Sequence, residues 1–295
     1  MAPAPPGLPM KTSLIVTTYN WPRALGRVLD SIAGQTRLPD EVIVADDGSG
    51  PDTAALLKAR AARFPTALRH VWQEDQGFRA GRARNLAIAA SRGDYLLLID
   101  GDMVLHPDFV ADHLAFATPG CFVQGSRVLT GPTTGARLLA DPELRPSPWL
   151  PGLDRRRNAL RLPWLARRLF ARRPRPPRAI KTCNQGWWRE DLLRLNGFDE
   201  RMQGWGREDM ELAWRAHHAG IHCRHLRFAA LAWHLHHPER HVDGASANDR
   251  FLADTRRTGA TRCTLGVDTH LAAMATNPPP DLRDPPAQPT LRRSA

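Results

Sequence analysis

No stretch of this chain reaches the roughly 18 consecutive apolar residues that a membrane-spanning helix requires, so a spanning helix is not expected. Cysteine is scarce. Cys121, Cys183, Cys223 and Cys263 lie far apart with no CxxC pair, which excludes the common zinc-ligand spacings and a disulfide framework. They are expected to be reduced, mostly buried thiols in a cytosolic protein. The opening Met1-Ala2-Pro3-Ala4-Pro5-Pro6 has neither a basic n-region nor an apolar h-region, so no secretory leader is expected. Lysine occurs only at Lys11, Lys58 and Lys181, and no internal repeat is visible.

Basic charge is therefore almost entirely arginine, and it is local. The 295 residues carry a net charge of +11, and ten arginines fall between Arg155 and Arg178. The remainder is near neutral, which argues against a nucleic-acid-binding face spread over a folded domain. Within the same stretch Leu160, Leu162, Trp164, Leu165, Leu169 and Phe170 alternate with the charges. Basic and apolar residues so mixed fit an anionic membrane surface, and residues 155–178 are expected to dock there.

The first half alternates strand and helix signals. Apolar runs at Ser13–Val16, Glu41–Ala45, Leu68–Trp72 and Tyr95–Ile99 read as strands, and short apolar runs bounded by turn residues suit buried strands. Helices are expected from Pro22 to Ala33, where proline fits a first turn, from Asp52 to Phe64 and from Arg79 to Ser91. This order implies an α/β fold with a mostly parallel, Rossmann-like sheet and helices on both faces. Ligands then bind beyond the carboxyl ends of the strands, where Thr17-Thr18-Tyr19-Asn20, Asp46-Asp47 and Asp100-Gly101-Asp102 all fall. The expected divisions are a flexible start at 1–10, a ligand-binding first half at 11–130, an Arg/Pro-rich insertion at 141–180, a second half at 181–276 and a disordered tail at 277–295. In the second half a helix from Glu208 to His218 and a strand from Phe228 to Trp233 are expected.

Two carboxylates leaving a buried strand with one glycine between them can hold a divalent cation together with substrate phosphates. Arg79, Arg82 and Arg84 stand near the start of a helix, where free N–H groups already favour a diphosphate. Glu208 and Asp209 separate by helix geometry. Asp209 shares a stripe with Leu212, Ala213 and Ala216, whereas Glu208 shares one with Glu211, Arg215 and His218. The first stripe is apolar apart from Asp209, which points that carboxylate inward as the general base. Trp205, between Gly204 and Gly206, offers a platform for a sugar ring. Of Trp187 and Trp188, one is expected to pack inward and the other to line an acceptor cleft.

In order and spacing, Thr17-Thr18-Tyr19-Asn20, Asp46-Asp47-Gly48-Ser49, Ala83-Arg84-Asn85 and Asp100-Gly101-Asp102 resemble the motifs of inverting family 2 glycosyltransferases of the GT-A fold. Asn184-Gln185-Gly186, Gly197-Phe198-Asp199 and Gly204-Trp205-Gly206-Arg207-Glu208-Asp209 resemble the C-terminal half of galactosyltransferase and chondroitin-polymerase-type enzymes. The resemblance spans about residues 11–240. It implies a UDP-sugar donor, a glycan or lipid-linked glycan acceptor, Mn2+ or Mg2+ as cofactor, and a cytoplasmic enzyme at the membrane's inner face making cell-surface polysaccharide. Asp46 or Asp47, with Thr17, Tyr19 and Asn20, would hold the uridine, and Asp100 the ribose. Asp102 and His234 would hold the metal, with His237 as the alternative histidine. Gln185, Gly186, Trp205, Gly206 and Glu208 would meet the acceptor, and Asn85 would pin its turn to the metal loop. A retaining transferase on the same fold and a nucleotidyltransferase are the alternatives. The latter usually carries a glycine-rich, basic loop after its first strand, which Thr17-Thr18-Tyr19-Asn20-Trp21-Pro22 is not.

Overall fold

The computed structural model describes residues 10–170, 176–238 and 247–284. Four parallel strands form its centre: β1 (Thr12–Thr18), β2 (Glu41–Asp46), β3 (Ala67–Trp72) and β4 (Tyr95–Asp100). Between them run α1 (Pro22–Ala33), α2 (Pro51–Ala61) and α3 (Ala80–Ala90). Side chains alternate across the strands. Leu14, Val16, Val42, Val44, Leu97 and Ile99 pack beneath α1 and α2, while Ile15, Ile43, Ala45, Leu96 and Leu98 pack beneath α3. The register sets Thr17 beside Asp100 and Thr18 beside Asp46, so the chemistry-bearing ends of three strands share one rim.

The chain continues through β5 (Met103–Leu105), α4 (Phe109–Phe116), β6 (Cys121–Gln124), β7 (Val128–Thr130) and α5 (Pro132–Ala140). Then come β8 (Leu153–Asp154), a 3-10 turn (Arg156–Ala159), α6 (Pro163–Phe170), β9 (Asn184–Trp188) and α7 (Arg189–Leu195). The last elements are α8 (Glu208–His218), β10 (His222–His225), β11 (Ala232–His234), α9 (Asp249–Thr258) and α10 (Asp268–Thr276). Among the described residues the main sheet has the order β10-β6-β9-β4-β1-β2-β3, and a second sheet has the order β5-β11-β7-β8.

Several expectations change. The sheet is mostly but not wholly parallel, because β9 runs antiparallel to both β4 and β6. The strand expected over Phe228–Trp233 is Ala232–His234 instead, since Phe228 and Ala230 take positive φ values of 64° and 48° and form a turn. The insertion is tied to the body. Arg161 grips Asp112 through two hydrogen bonds of 3.0 and 2.7 Å, and Asp112 also accepts from Ala230 N–H. The tail does not begin at 277. Asp281 accepts from Leu68 N–H, and Leu282 N–H donates to the Leu68 carbonyl at 2.8 Å, covering the edge of β3. Residues 1–9 and 285–295, where a flexible start and the rest of the tail were expected, lie outside the described residues.

Candidate active site

Two neighbouring strands build the first half of the site. Asp102 lies in the turn from β4 to β5, and β5 pairs antiparallel with β11, placing Met103 opposite His234. Leu235 N–H donates to the Asp102 carbonyl, and Thr130 Oγ1 donates to that of His234. His237 packs edge-on against Trp21. Asp102 Oδ2 is then 3.3 Å from Nε2 of both His234 and His237, which are 3.3 Å from each other. One ligand atom from each of the three residues fits within 4.8 Å. Burial alone would raise the Asp102 carboxyl, but hydrogen bonds from the two imidazoles outweigh it and hold the group well below the usual carboxylate range. Asp102 Oδ1 is buried with no hydrogen-bond partner. An orphaned carboxylate oxygen beside two imidazoles is a donor set that suits a Mn2+-like ion. Both histidines belong to the set, where the sequence had left a choice between them.

Arg84, on α3, joins this half to the next. Its Nε donates to Thr17 Oγ1 at 3.1 Å, its Nη2 donates to Asp100 Oδ1 at 3.2 Å, and its Nη1 lies 3.5 Å from Glu208 Oε1. The guanidinium is buried over the Phe198 ring. It therefore sits between the acids of the β4–β5 turn and those opening α8, a position the sequence reading missed by grouping it with Arg79 and Arg82 as a diphosphate contact. Those two are placed differently. Arg79 donates through its backbone N–H to Asp47 and through Nη2 to the Glu74 carbonyl, and Arg82 donates to Gln73 and faces Glu200 at 3.6 Å. Asn85 holds Phe198 through both backbone groups and also bonds Glu200, so it pins α3 to the 197–200 loop and not to the metal loop.

The residues expected around the base divide. Asp46 is fully occupied: Ser49 N–H donates to Oδ1 at 2.8 Å, and His70 Nε2 lies 2.9 Å from Oδ2. Burial pulls its pKa up, but the His70 and Ser49 contacts prevail and lower it. Asp47 is buried between Gln73 and the Arg79 N–H, and burial raises its pKa. Asn20, at φ 48°, accepts from Gly50 N–H and donates its own N–H to Ser49 Oγ, which locks the first loop to the second. Tyr19 is exposed, and its hydroxyl donates to Asp75.

At the acceptor side the structure separates surface from core. Gln185 and Gly186 do not reach a cleft. β9 lies inside the main sheet, so Gln185 is buried, donating to Gln124 Oε1 and accepting from Trp187 Nε1. A Cβ at Gly186 would collide with the Tyr95 hydroxyl, so glycine is there for packing. Trp187 stacks on Phe122, and Trp188 donates to the Thr118 carbonyl, so neither indole is offered to an acceptor. Trp205, by contrast, is 52% exposed. Gly204 and Gly206 beside it take φ values of 79° and 97°, a region open to glycine, and Asn248 holds the Gly206 carbonyl.

Helix α8 carries the last acids. Both of its stripes are buried, because Glu211 and Arg215 form an internal ion pair at 2.8 Å rather than a solvent face. Arg215 also donates to the carbonyls of Leu195 and Gly197, and Thr255 donates to Glu211. The first turn is thus fixed to α7 and α9. Glu208 is buried with Oε2 unpartnered, while Asp209 is half-buried and accepts from Met210 N–H. Burial first, and then the adjacent Glu208 charge, push the Asp209 carboxyl up to about 7 against the pull of Met210 N–H, Arg84 and Lys181. A carboxylate poised near neutrality can accept a proton from a hydroxyl.

Comparison with known proteins places these features. Residues 13–173 match the model of glycosyl transferase family 2, and residues 170–238 match one described as the N-terminal domain of galactosyltransferase. Validoxylamine A glucosyltransferase of Streptomyces hygroscopicus subsp. limoneus is 29% identical over 273 residues, covering 81% of this chain and 54% of that protein. Chondroitin synthase of Escherichia coli is 26% identical over 254 residues, covering 80% of this chain and 37% of that one. The chain therefore spans about half the length of the first of these relatives and less of the second. GalNAc-T7, solved with UDP, GalNAc and Mn2+, superposes with a TM-score of 0.61 at 14% identity over 83% of this chain and 47% of that one. The fold is GT-A.

Proposed function

The chain belongs to glycosyl transferase family 2, and from that premise we propose that it moves one sugar, with inversion, from a UDP-sugar to a hydroxyl of a glycan or lipid-linked glycan in cell-surface polysaccharide synthesis. The observation that carries this reading is that the Arg84 guanidinium pairs on one side with Asp100, two residues before the Asp102 that clusters with His234 and His237, and on the other with Glu208, the neighbour of Asp209. The trio would hold Mn2+ or Mg2+, which supplies positive charge to offset that of the departing diphosphate. Tyr19 presents its ring to the base, and Asp100, held by Arg84, faces the ribose. Glu208 accepts from an acceptor hydroxyl through its unpartnered Oε2, and Trp205 gives the sugar ring an apolar face. Asp209 takes the proton of the attacking hydroxyl, which approaches the anomeric carbon opposite the leaving group. The four cysteines, all free and buried, support work on the cytoplasmic side.

A panel of nucleotide sugars, scored for UDP release with and without Mn2+, tests the donor and the metal. Turnover of a UDP-sugar that requires the ion is expected. Turnover only of other nucleotides, or release of pyrophosphate, contradicts the proposal. NMR of the product anomer tests inversion. For the acceptor, the relative named for validoxylamine A favours a second reading, which an acceptor panel containing that compound distinguishes from a polymer.

A further inference from the structure

Among the described residues, three of the eight exposed large hydrophobic side chains fall in one 16-residue span inside the arginine-rich insertion: Trp149 at 83%, Leu160 at 39% and Trp164 at 67% exposure. They are mounted on fixed structure. Arg156 donates through Nη1 to the Pro148 carbonyl and through Nη2 to that of Leu150, each at 3.1 Å, so the turn bearing Trp149 is fastened to the 3-10 turn. Helix α6 turns Ala166 inward and rests Phe170 on Phe116 at 4.9 Å, and Leu162 N–H bonds the Phe228 carbonyl just before the helix. Trp164 and Arg168, one turn apart on the same helical face, are left on the outside.

The charge along this stretch is predominantly basic, with one exposed acid 3.9 Å from the Arg155 guanidinium. Between Glu143 and Glu190 the sole acid is Asp154, which accepts from the N–H of Arg155. Arg161 is turned inward to Asp108 and Asp112 and so does not contribute. Arg155, Arg157 and Arg168 are exposed, and among the described residues no acid pairs with Arg157 or Arg168. Tryptophans that stand out of a surface, with guanidiniums beside them, match the two layers of an anionic lipid interface, where indoles settle at headgroup level and arginines neutralise phosphates.

The geometry points to a membrane-docking face formed by the Trp149 turn, the 3-10 turn and the outer side of α6, whose partner is a bilayer containing acidic phospholipid. It goes beyond the proposed transfer reaction and does not depend on it, since the face uses none of the residues assigned to donor, metal or acceptor. Docking would bring the enzyme to lipid-linked acceptors and confine its diffusion to the membrane plane.

The test is co-sedimentation of the full chain with phosphatidylcholine vesicles, with and without phosphatidylglycerol at roughly a third of the lipid, at low and high salt. Binding is expected only with phosphatidylglycerol and should weaken as salt rises. Each arginine near such a surface changes partitioning about fivefold. Arg155→Gln, Arg157→Gln and Arg168→Gln together should therefore weaken binding by on the order of a hundredfold. Trp149→Ser with Trp164→Ser should abolish quenching by brominated lipid at these positions. All five side chains are exposed, and melting temperatures will confirm that the variants fold. Quenching of the unaltered chain decides the matter even if a variant does not. Absence of binding to phosphatidylglycerol vesicles, undiminished binding by both variants, or retention on a soluble anionic polysaccharide with vesicles left unbound would each overturn the proposal.

Discussion

Replacing Asp209 with asparagine changes the proposed chemistry and little else. The amide keeps an oxygen for the Met210 N–H, removes the repulsion with Glu208, and leaves the Glu211–Arg215 pair that fixes α8 untouched. Fold and donor binding should therefore persist. A general base contributes about 10²–10⁴-fold to the rate, which corresponds to about 3–5 kcal/mol of barrier at 1.36 kcal/mol per tenfold. Because the Asp209 pKa is raised to about 7, the carboxylate is largely protonated, and inactive as a base, below that pH. Turnover of the unaltered enzyme should fall about tenfold per pH unit as pH drops below 7 and level off above it. The assay is kcat by UDP release across pH, alongside donor affinity by thermal shift. Asp209→Asn retaining more than a tenth of the rate, or an unaltered enzyme with a flat profile from pH 5 to 8, would refute the assignment.

Asp102→Ala or His237→Ala removes one of three clustered ligands, so Mn2+ binding should weaken by at least about 10–100-fold, the loss that even outer partners of metal sites produce. Titration of the Mn2+ EPR signal measures this, and unchanged affinity in both variants contradicts the site. Arg215→Met strands the buried Glu211 carboxylate and should cost about 3–5 kcal/mol of stability, read by urea denaturation; a loss below about 1 kcal/mol would mean that the pair is not internal. Trp205→Ala should raise the acceptor KM without lowering the melting temperature. Gln185→Ala should do the reverse, because it leaves Trp187 Nε1 without its acceptor at about 1–3 kcal/mol.

What could be read from the chain follows physical lines. Strands β1, β2 and β4 were legible because parallel strands covered on both faces show as unbroken apolar runs, and Pro22 marked the start of α1. The acceptor role given to Gln185 and Gly186 came from the family resemblance, whereas Gln185 is satisfied inside the sheet by Gln124 and Trp187. The charged residue types of Glu211 and Arg215 likewise give no sign that the two form a buried pair, which only the packing of α8 reveals. The turn at 228–230 depends on positive φ values in Phe228 and Ala230, for which the residue types give no signal. Metal-site geometry was partly visible in three histidines within four positions. The bridging place of Arg84 was not, because it depends on β4 and α8 meeting across more than a hundred residues of sequence.

The central proposal is spatial: acids from the two halves of the chain would share one cleft and hold a cation there. Anomalous diffraction at the manganese edge, from crystals grown with Mn2+ and UDP, tests it most directly. One peak bounded by Asp102, His234 and His237, with the UDP diphosphate on the side of Glu208 and Asp209, is the expected result. A peak elsewhere, or a nucleotide remote from those two acids, would contradict the account.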